Sequence, residues 1–235
     1  MDQVIFTPRL KLTLVEKAEQ GSEEFEWLHE IRCNKEATWW SIWGPSKTVE
    51  DTEKQIQKLL PTPPSSSKPR TYRINYAVHS LLSPTSGPPT TPSAIPTKFI
   101  GLVSLRSLDP GHLVLPTPLV HPPSDSSTLT VEIAYMYLPA AWGNGYATES
   151  INAMFAACER AKDFWTPYGK VYVRSIVNDR NEKSVRVMEK CGMERKGLFV
   201  WEAEDESKAV LIAGKMVTTD RLVIWGRELD FDRTT

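Results

Sequence analysis

Residues 142–149 read Trp-Gly-Asn-Gly-Tyr-Ala-Thr-Glu, and any chemistry they do rests on the backbone before any side chain. Two glycines one residue apart follow Pro139 and Trp142, and a helix-forming run begins near Tyr146 or Ala147. The first N–H groups of a helix have no partner inside it and lie at the positive end of its dipole. Glycine at 143 and 145 clears side chains from the approach, so an anion can rest directly on those amides, with a pyrophosphate the natural guest. The same glycines can equally make a tight strand-to-helix turn, and the stretch alone leaves both readings open. Two familiar nucleotide motifs do not fit. No Lys follows the second glycine, as a P-loop requires, and the third glycine of a dinucleotide fingerprint is missing.

The elements around this turn are readable from periodicity. Leu10, Leu12 and Leu14 alternate with Arg9, Lys11 and Thr13, the period of a half-buried strand. A helix follows from about Ser22, a candidate N-cap with acidic residues behind it, and a second amphipathic helix over 48–60 offers Val49, Ile56, Leu59 and Leu60 for burial. Residues 71–80, 98–108 and 129–138 form three strand-like runs, expected to be antiparallel neighbours. They are separated by Pro/Ser/Thr-rich insertions near 61–69, 83–97 and 115–128 that cannot bury a face. After the glycine turn, Ala147, Ile151, Met154, Phe155 and Cys158 share one face of a long helix. Residues 170–177 are apolar at almost every position and predict a central strand. Asn181 is a candidate N-cap for a further helix, with Gly192 as its stop. The runs at 198–204 and 208–217 suggest a closing hairpin, and 221–229 a last strand or tail. This order predicts one α/β (α+β) domain over 1–235, with a mixed, mostly antiparallel twisted sheet of about seven strands flanked by helices.

Composition narrows the function classes. A formal net charge of −1 gives no bulk attraction to nucleic acid or anionic lipid, so neither is expected as a partner. No apolar stretch approaches the ~20 residues of a membrane span, and the first residues lack the basic-then-apolar pattern of a signal peptide. Cys33, Cys158 and Cys191 are odd in number and far apart, and His29, His79, His112 and His121 are scattered. Neither a disulfide framework nor a metal site is expected. Cytoplasm is the default location, with the nucleus also compatible.

The full string carries more than the turn alone. Glu132-Ile133-Ala134-Tyr135 precedes Trp142-Gly143-Asn144-Gly145-Tyr146-Ala147-Thr148-Glu149, and Asn181 to Ser184 and Gly192-Met193 follow. This resembles the GNAT superfamily of acetyl-CoA-dependent N-acetyltransferases. It is most similar to the Rim-type branch, first known for acetylating ribosomal-protein N-termini, whose pattern has Glu-Ile-Gly-Tyr, Trp-Gly-x-Gly-Tyr-Ala-Thr-Glu, Asn-x-x-Ser and Gly-Phe. Thr7 to Leu12 resembles that branch's opening strand, so the resemblance spans nearly the whole chain outside the Pro-rich insertions. It implies a splay between the fourth and fifth strands in which acetyl-CoA meets an amine acceptor, either a small molecule or a protein N-terminus. Residues 143–148 would hold the pyrophosphate, with Trp142 and Tyr146 belonging to the same motif. The backbone of Tyr135, Met136 and Tyr137 would pair with the pantetheine arm, and Asn181 and Ser184 would face its sulfur end.

Acetyl transfer to nitrogen needs a neutral amine, and an alkylammonium has a pKa near ~10, so a proton must leave. The resemblance makes Glu132 the candidate base or substrate-orienting group. The tyrosine acid of many family members is replaced by Met188, which leaves Ser184 as the candidate partner of the thiolate. Trp39, Trp40 and Trp43 cluster between the first two helices, where this fold builds its acceptor wall, although core packing would explain them as well. A module that binds acetyl-CoA without turning it over is the alternative from another class.

Overall fold

A computed structural model describes residues 1–62, 70–82, 95–109, 111–120 and 127–231. The central parts of the three expected insertions, 63–69, 83–94 and 121–126, lie outside the described residues.

The opening alternation makes two strands. The chain turns at Thr7, whose N–H donates to the Leu10 carbonyl, so β1 (Val4–Phe6) folds back antiparallel on β2 (Leu10–Leu14). Next comes α1 (Glu23–Cys33), started by Ser22, whose hydroxyl accepts from the Phe25 N–H. Thr48 caps α2 (Val49–Leu59) in the same way, through the Asp51 N–H. Phe25, Leu28, Ile31 and Ile56 from these helices pack on Ala77, Phe99 and Leu102, covering one face of the sheet.

The three strand-like runs form the expected meander of β3 (Arg73–Leu81), β4 (Thr97–Ser107) and β5 (Thr128–Tyr137), paired antiparallel in sequence. After β5 the chain crosses through α3 (Tyr146–Arg160) to β6 (Lys170–Asn178). The predicted α3 stripe is the buried one: Ile151, Met154, Phe155 and Cys158 lie against Val131, Ile133, Val171 and Val173 on the second face of the sheet. Then follow α4 (Glu182–Lys190), β7 (Glu194–Glu202), β8 (Val210–Ile212), β9 (Lys215–Val217) and β10 (Thr219–Glu228).

The main sheet has eight strands in the order β1-β2-β3-β4-β5-β6-β10-β7. The expected closing hairpin is therefore corrected. Segment 208–217 folds on itself as a separate β8–β9 hairpin, and the partner of β7 is β10. Burial explains the order. Val223, Ile224 and Trp225 of β10 are buried and need neighbours on both sides, whereas β7 alternates between exposed and half-buried positions, as an edge strand can.

One junction departs from this ladder. β5 and β6 are parallel, and their pairing runs only from Thr128 opposite Lys170 to Glu132 opposite Arg174. Beyond it, β5 stays with β4 as far as Tyr137, and β6 stays with β10 as far as Asn178. The expected splay lies here, between the fifth and sixth strands once the opening hairpin is counted as two.

His79 of β3 is buried against Trp27 and Phe99, with ring centroids 4.5 and 5.6 Å away, and burial pushes its pKa down to about 4. In the unfolded chain the same ring titrates near 6.5. Between those values the unfolded state takes up the extra proton, so stability present above pH 6.5 is lost as pH falls toward 4. For this buried ring the loss is on the order of 2–3 kcal/mol. Denaturant titrations at pH 7 and pH 4.5 are expected to differ less in His79→Phe than in the wild type.

Candidate active site

The glycine turn joins β5 to α3. Trp142 folds back so that its indole Nε1–H donates to the Tyr137 carbonyl at 2.8 Å, and Asn144 donates through Nδ2 to the Ala141 and Trp142 carbonyls. Gly143 and Gly145 have φ of 79° and 78°, left-handed values that strain any residue with a Cβ. Space is not their reason. An added Cβ would meet nothing within 4 Å at Gly143, and at Gly145 only Arg9 Nη2 at 3.6 Å. Gly145 is the N-cap of α3 and supplies no side-chain acceptor, so the first amides of α3, from Tyr146, Ala147 and Thr148, are not capped by it.

A cation stands beside the turn. Arg9, just before β2, donates from Nη1 to the Asn144 carbonyl at 2.9 Å, and from Nε to Glu149 at 2.7 Å. Its guanidinium carbon lies 4.9 Å from the centre of the Tyr146 ring. Thr7 Oγ1 also donates to Glu149, at 2.6 Å. Glu149 thus ties the start of α3 to the β1–β2 turn, which fixes the helix end relative to the sheet. The two segments are 140 positions apart, and neither one's pattern announces the contact.

From the turn, the splay leads toward the middle of the sheet. Tyr135 and Tyr137 point to the α3 side. The Tyr137 hydroxyl bonds Ser150 Oγ, and the Tyr135 hydroxyl lies 3.5 Å from the Ser184 carbonyl. Burial pushes both phenols well above the usual tyrosine range, so both stay protonated. Asn181 caps α4, its Oδ1 accepting from the Ser184 N–H at 3.2 Å, and this brings half-buried Ser184 to the helix start that faces Tyr135. Met188 is fully buried in the core and offers no proton. Burial also raises the Cys191 thiol to about 12 and the Cys158 thiol further, so neither is a ready thiolate.

Glu132 is the last residue of β5 that pairs with β6. Arg106 of β4 donates to its Oε1 at 2.9 Å, and Arg174 of β6 reaches its Oε2 through Nε at 3.1 Å and Nη2 at 3.0 Å. Both carboxylate oxygens are engaged by guanidinium groups. The pair of arginines clamps β4, β5 and β6 together at the point where β5 and β6 part.

On the same sheet face as Glu132, strand alternation sets Ala134 and Met136 toward α1 and the loop that follows it. The three tryptophans of that loop diverge. The Trp39 ring packs against Gly214 at the tip of the β8–β9 hairpin. Trp43 meets Lys58 of α2, whose Nζ is 4.2 Å from the ring centre. Trp40 alone of the three reaches toward the loop after β6, where the Arg180 guanidinium lies 5.9 Å from its ring. Arg180 is in turn paired with Asp220 at 2.7 Å. Arg32, from the last turn of α1, is buried between Met136 and Gly44. The helical period of α1 held its signal, because Arg32 follows Phe25 and Leu28 on the apolar stripe.

Among the described residues no group of three or more His, Cys, Asp or Glu could hold a metal ion, and no helix is long and apolar enough to cross a membrane. The first amides of α3, uncapped by any side chain of Gly145, thus follow a strand whose parallel pairing with β6 ends at Glu132. The family model described as the acetyltransferase (GNAT) domain matches residues 11–194, and the chain belongs to that family. Similar solved structures include RimL, the ribosomal L7/L12 alpha-N-protein acetyltransferase in complex with coenzyme A (TM-score 0.56, 14% identity, 97% of this chain and 99% of that one covered). The spermidine N-acetyltransferase from Vibrio cholerae with CoA and spermine aligns at TM-score 0.51 and 17% identity over 93% of this chain and 95% of that one. The ribosomal-protein-S5-alanine acetyltransferase from Vibrio fischeri aligns at 0.53 and 13% over 99% and 100%. A comparison with curated protein sequences gave no match. Enzymes with polyamine and with protein acceptors thus resemble this chain about equally, and the likeness fixes the fold without choosing a branch.

Proposed function

We propose that the protein is an N-acetyltransferase, moving the acetyl group of acetyl-CoA directly to a primary amine while both substrates are bound. The observation that carries this reading is the parting of β5 and β6 immediately after Glu132 and Arg174, with the Gly143–Gly145 turn at the other end of β5. Acetyl-CoA supplies an activated thioester carbonyl and a good leaving thiol. The protein's part is then binding, orientation and control of one proton. Amides from Gly143 to Thr148 would hold the pyrophosphate, with Arg9 beside them. The free edge of β5 at Tyr135, Met136 and Tyr137 would take the pantetheine arm as an added strand. Ser184, next to the Tyr135 hydroxyl, would hydrogen-bond the departing sulfur. A thiol pKa near ~8.5 makes a stronger acid unnecessary.

Glu132 acts as a positioning residue in this reading, because both of its oxygens are occupied. The proton problem has another solution in the charges around the slot. Arg32, Arg106 and Arg174 outnumber Glu132 there, and like charge disfavours the ammonium form of a bound amine. The acceptor would lose its proton to water on entry, with no dedicated base. Trp40 would form the apolar wall. The Rim-like string from Glu132 to Glu149 supports a primary-amine acceptor, small or at a protein N-terminus.

Initial rates with both substrates varied test direct transfer. Intersecting double-reciprocal lines are expected, and parallel lines would require an acetylated enzyme. Buried Cys158 and Cys191 make that outcome unexpected. Tight coenzyme A binding with no transfer to any amine would instead identify a binding module.

A further inference from the structure

We infer that Arg32 is the acceptor-recognition residue of this site and that the acceptor is an amine that also carries a carboxylate; the inference rests on the acetyltransferase reading above. Arg32 is only 8% exposed, yet its guanidinium is poorly partnered. Nη2 reaches the Gly44 carbonyl only at 3.5 Å, Nη1 lies 3.5 Å from the Met136 sulfur, and Nε has no partner. No carboxylate among the described residues pairs with it, and burial pulls its pKa down to about 10. A guanidinium has five donors and stays charged at neutral pH, so an uncompensated buried one is costly unless a ligand completes it.

Its position says which ligand. Met136 belongs to the part of β5 that has already separated from β6, and Gly44 closes the tryptophan loop. The fork therefore lies between the separated part of β5 and the end of the tryptophan loop, on the side where the proposed acceptor would enter. The acids along this side of the sheet are already taken: Arg106 and Arg174 share Glu132, and Arg180 has Asp220, so four arginines have two acids among them. A polyamine would bring more positive charge into this surplus. A carboxylate matches the planar fork with two parallel hydrogen bonds and offsets one of the two surplus charges. The carboxylate could belong to a free amino acid or to an acidic residue at a peptide N-terminus, since the chemistry Arg32 reads is the same.

The test uses binding, so it does not depend on turnover. The full chain is first titrated with coenzyme A. The saturated protein is then titrated with N-acetyl amino acids, each paired with the N-acetyl amine that lacks its carboxylate, and with N-acetylspermidine. A second arm compares acetylated peptides beginning with Asp or Asn and so separates the two sources. At least one carboxylate-bearing member is expected to bind tenfold or more tightly than its partner. Arg32→Met should remove the difference, and Arg32→Lys should restore only part of it, because an ammonium lacks the fork. Arg32→Met should melt no lower than the wild type, since it deletes an unpaired buried charge. Equal binding within every pair, no binding by any, or a preference for N-acetylspermidine would overturn the inference. Failure at the coenzyme A step would instead overturn the acetyltransferase reading.

Discussion

Gly145→Asp is expected to weaken coenzyme A binding by about 100-fold or more while leaving the fold intact. Two effects add. Gly145 sits at φ 78°, where an L-residue costs about 1–2 kcal/mol, and the new carboxylate would project among amides that otherwise meet phosphate oxygens. Gly145→Asn separates the two, because asparagine tolerates the left-handed conformation and adds no charge. It should weaken binding by less than about tenfold if strain is the smaller part. Arg9 gives the comparison its edge, since its Nη2 is 3.6 Å from the Cβ position at residue 145. If Arg9 neutralised the aspartate completely, the two variants would bind alike, and the cradle would owe little to charge. Equal affinity of Gly145→Asp and wild type would refute the cradle itself. Both affinities can be read by calorimetry at two ionic strengths.

Glu132→Gln is expected to be the most destabilising single change at the site. Its carboxylate is 13% exposed and Arg174 is 9% exposed, so the amide would leave a buried guanidinium without its anion. Breaking such a pair typically costs ~3 kcal/mol or more, and the half-exposed Arg106 adds little because water screens it. In a chain of this length that corresponds to a melting temperature lower by roughly 6–12 °C. Replacing Glu132 and Arg174 together with methionine should recover most of the loss, since no unpaired charge then remains. The same variant decides the proton question. If Glu132 were the base, the acidic limb of the kcat–pH profile would vanish in Glu132→Gln. With the bound amine titrating in a cationic slot, the limb persists. If it moves it moves to lower pH, because removing a negative charge disfavours the ammonium further.

The part of the site contiguous in sequence was legible there. Glu132 through Glu149 encodes a strand, a turn that needs two glycines and a helix start, and each has a local signature. Asn181 was equally plain as a cap. What stayed hidden depends on contacts between distant segments. Arg9 and Glu149 stand 140 positions apart, and nothing in either segment's periodicity announces their pairing. Arg106 and Arg174 read as ordinary strand charges until register brings both opposite Glu132. The place of β10 was lost for a related reason, since an apolar run shows that a strand is buried but not which neighbours bury it. The tryptophan cluster was visible, but not that Trp39 and Trp43 turn to the β8–β9 hairpin and α2 while Trp40 faces Arg180. Arg32 was available to a stricter reading, as a charge on the apolar stripe of α1.

The most direct measurement of the central claim follows free thiol while the protein is incubated with acetyl-CoA and a panel of primary amines, including amino acids, polyamines and N-terminal peptides. Thiol release that depends on one class of amine, with one acetylated amine formed for each thiol, is the predicted result. Coenzyme A binding with no release above the spontaneous rate for any amine would contradict it.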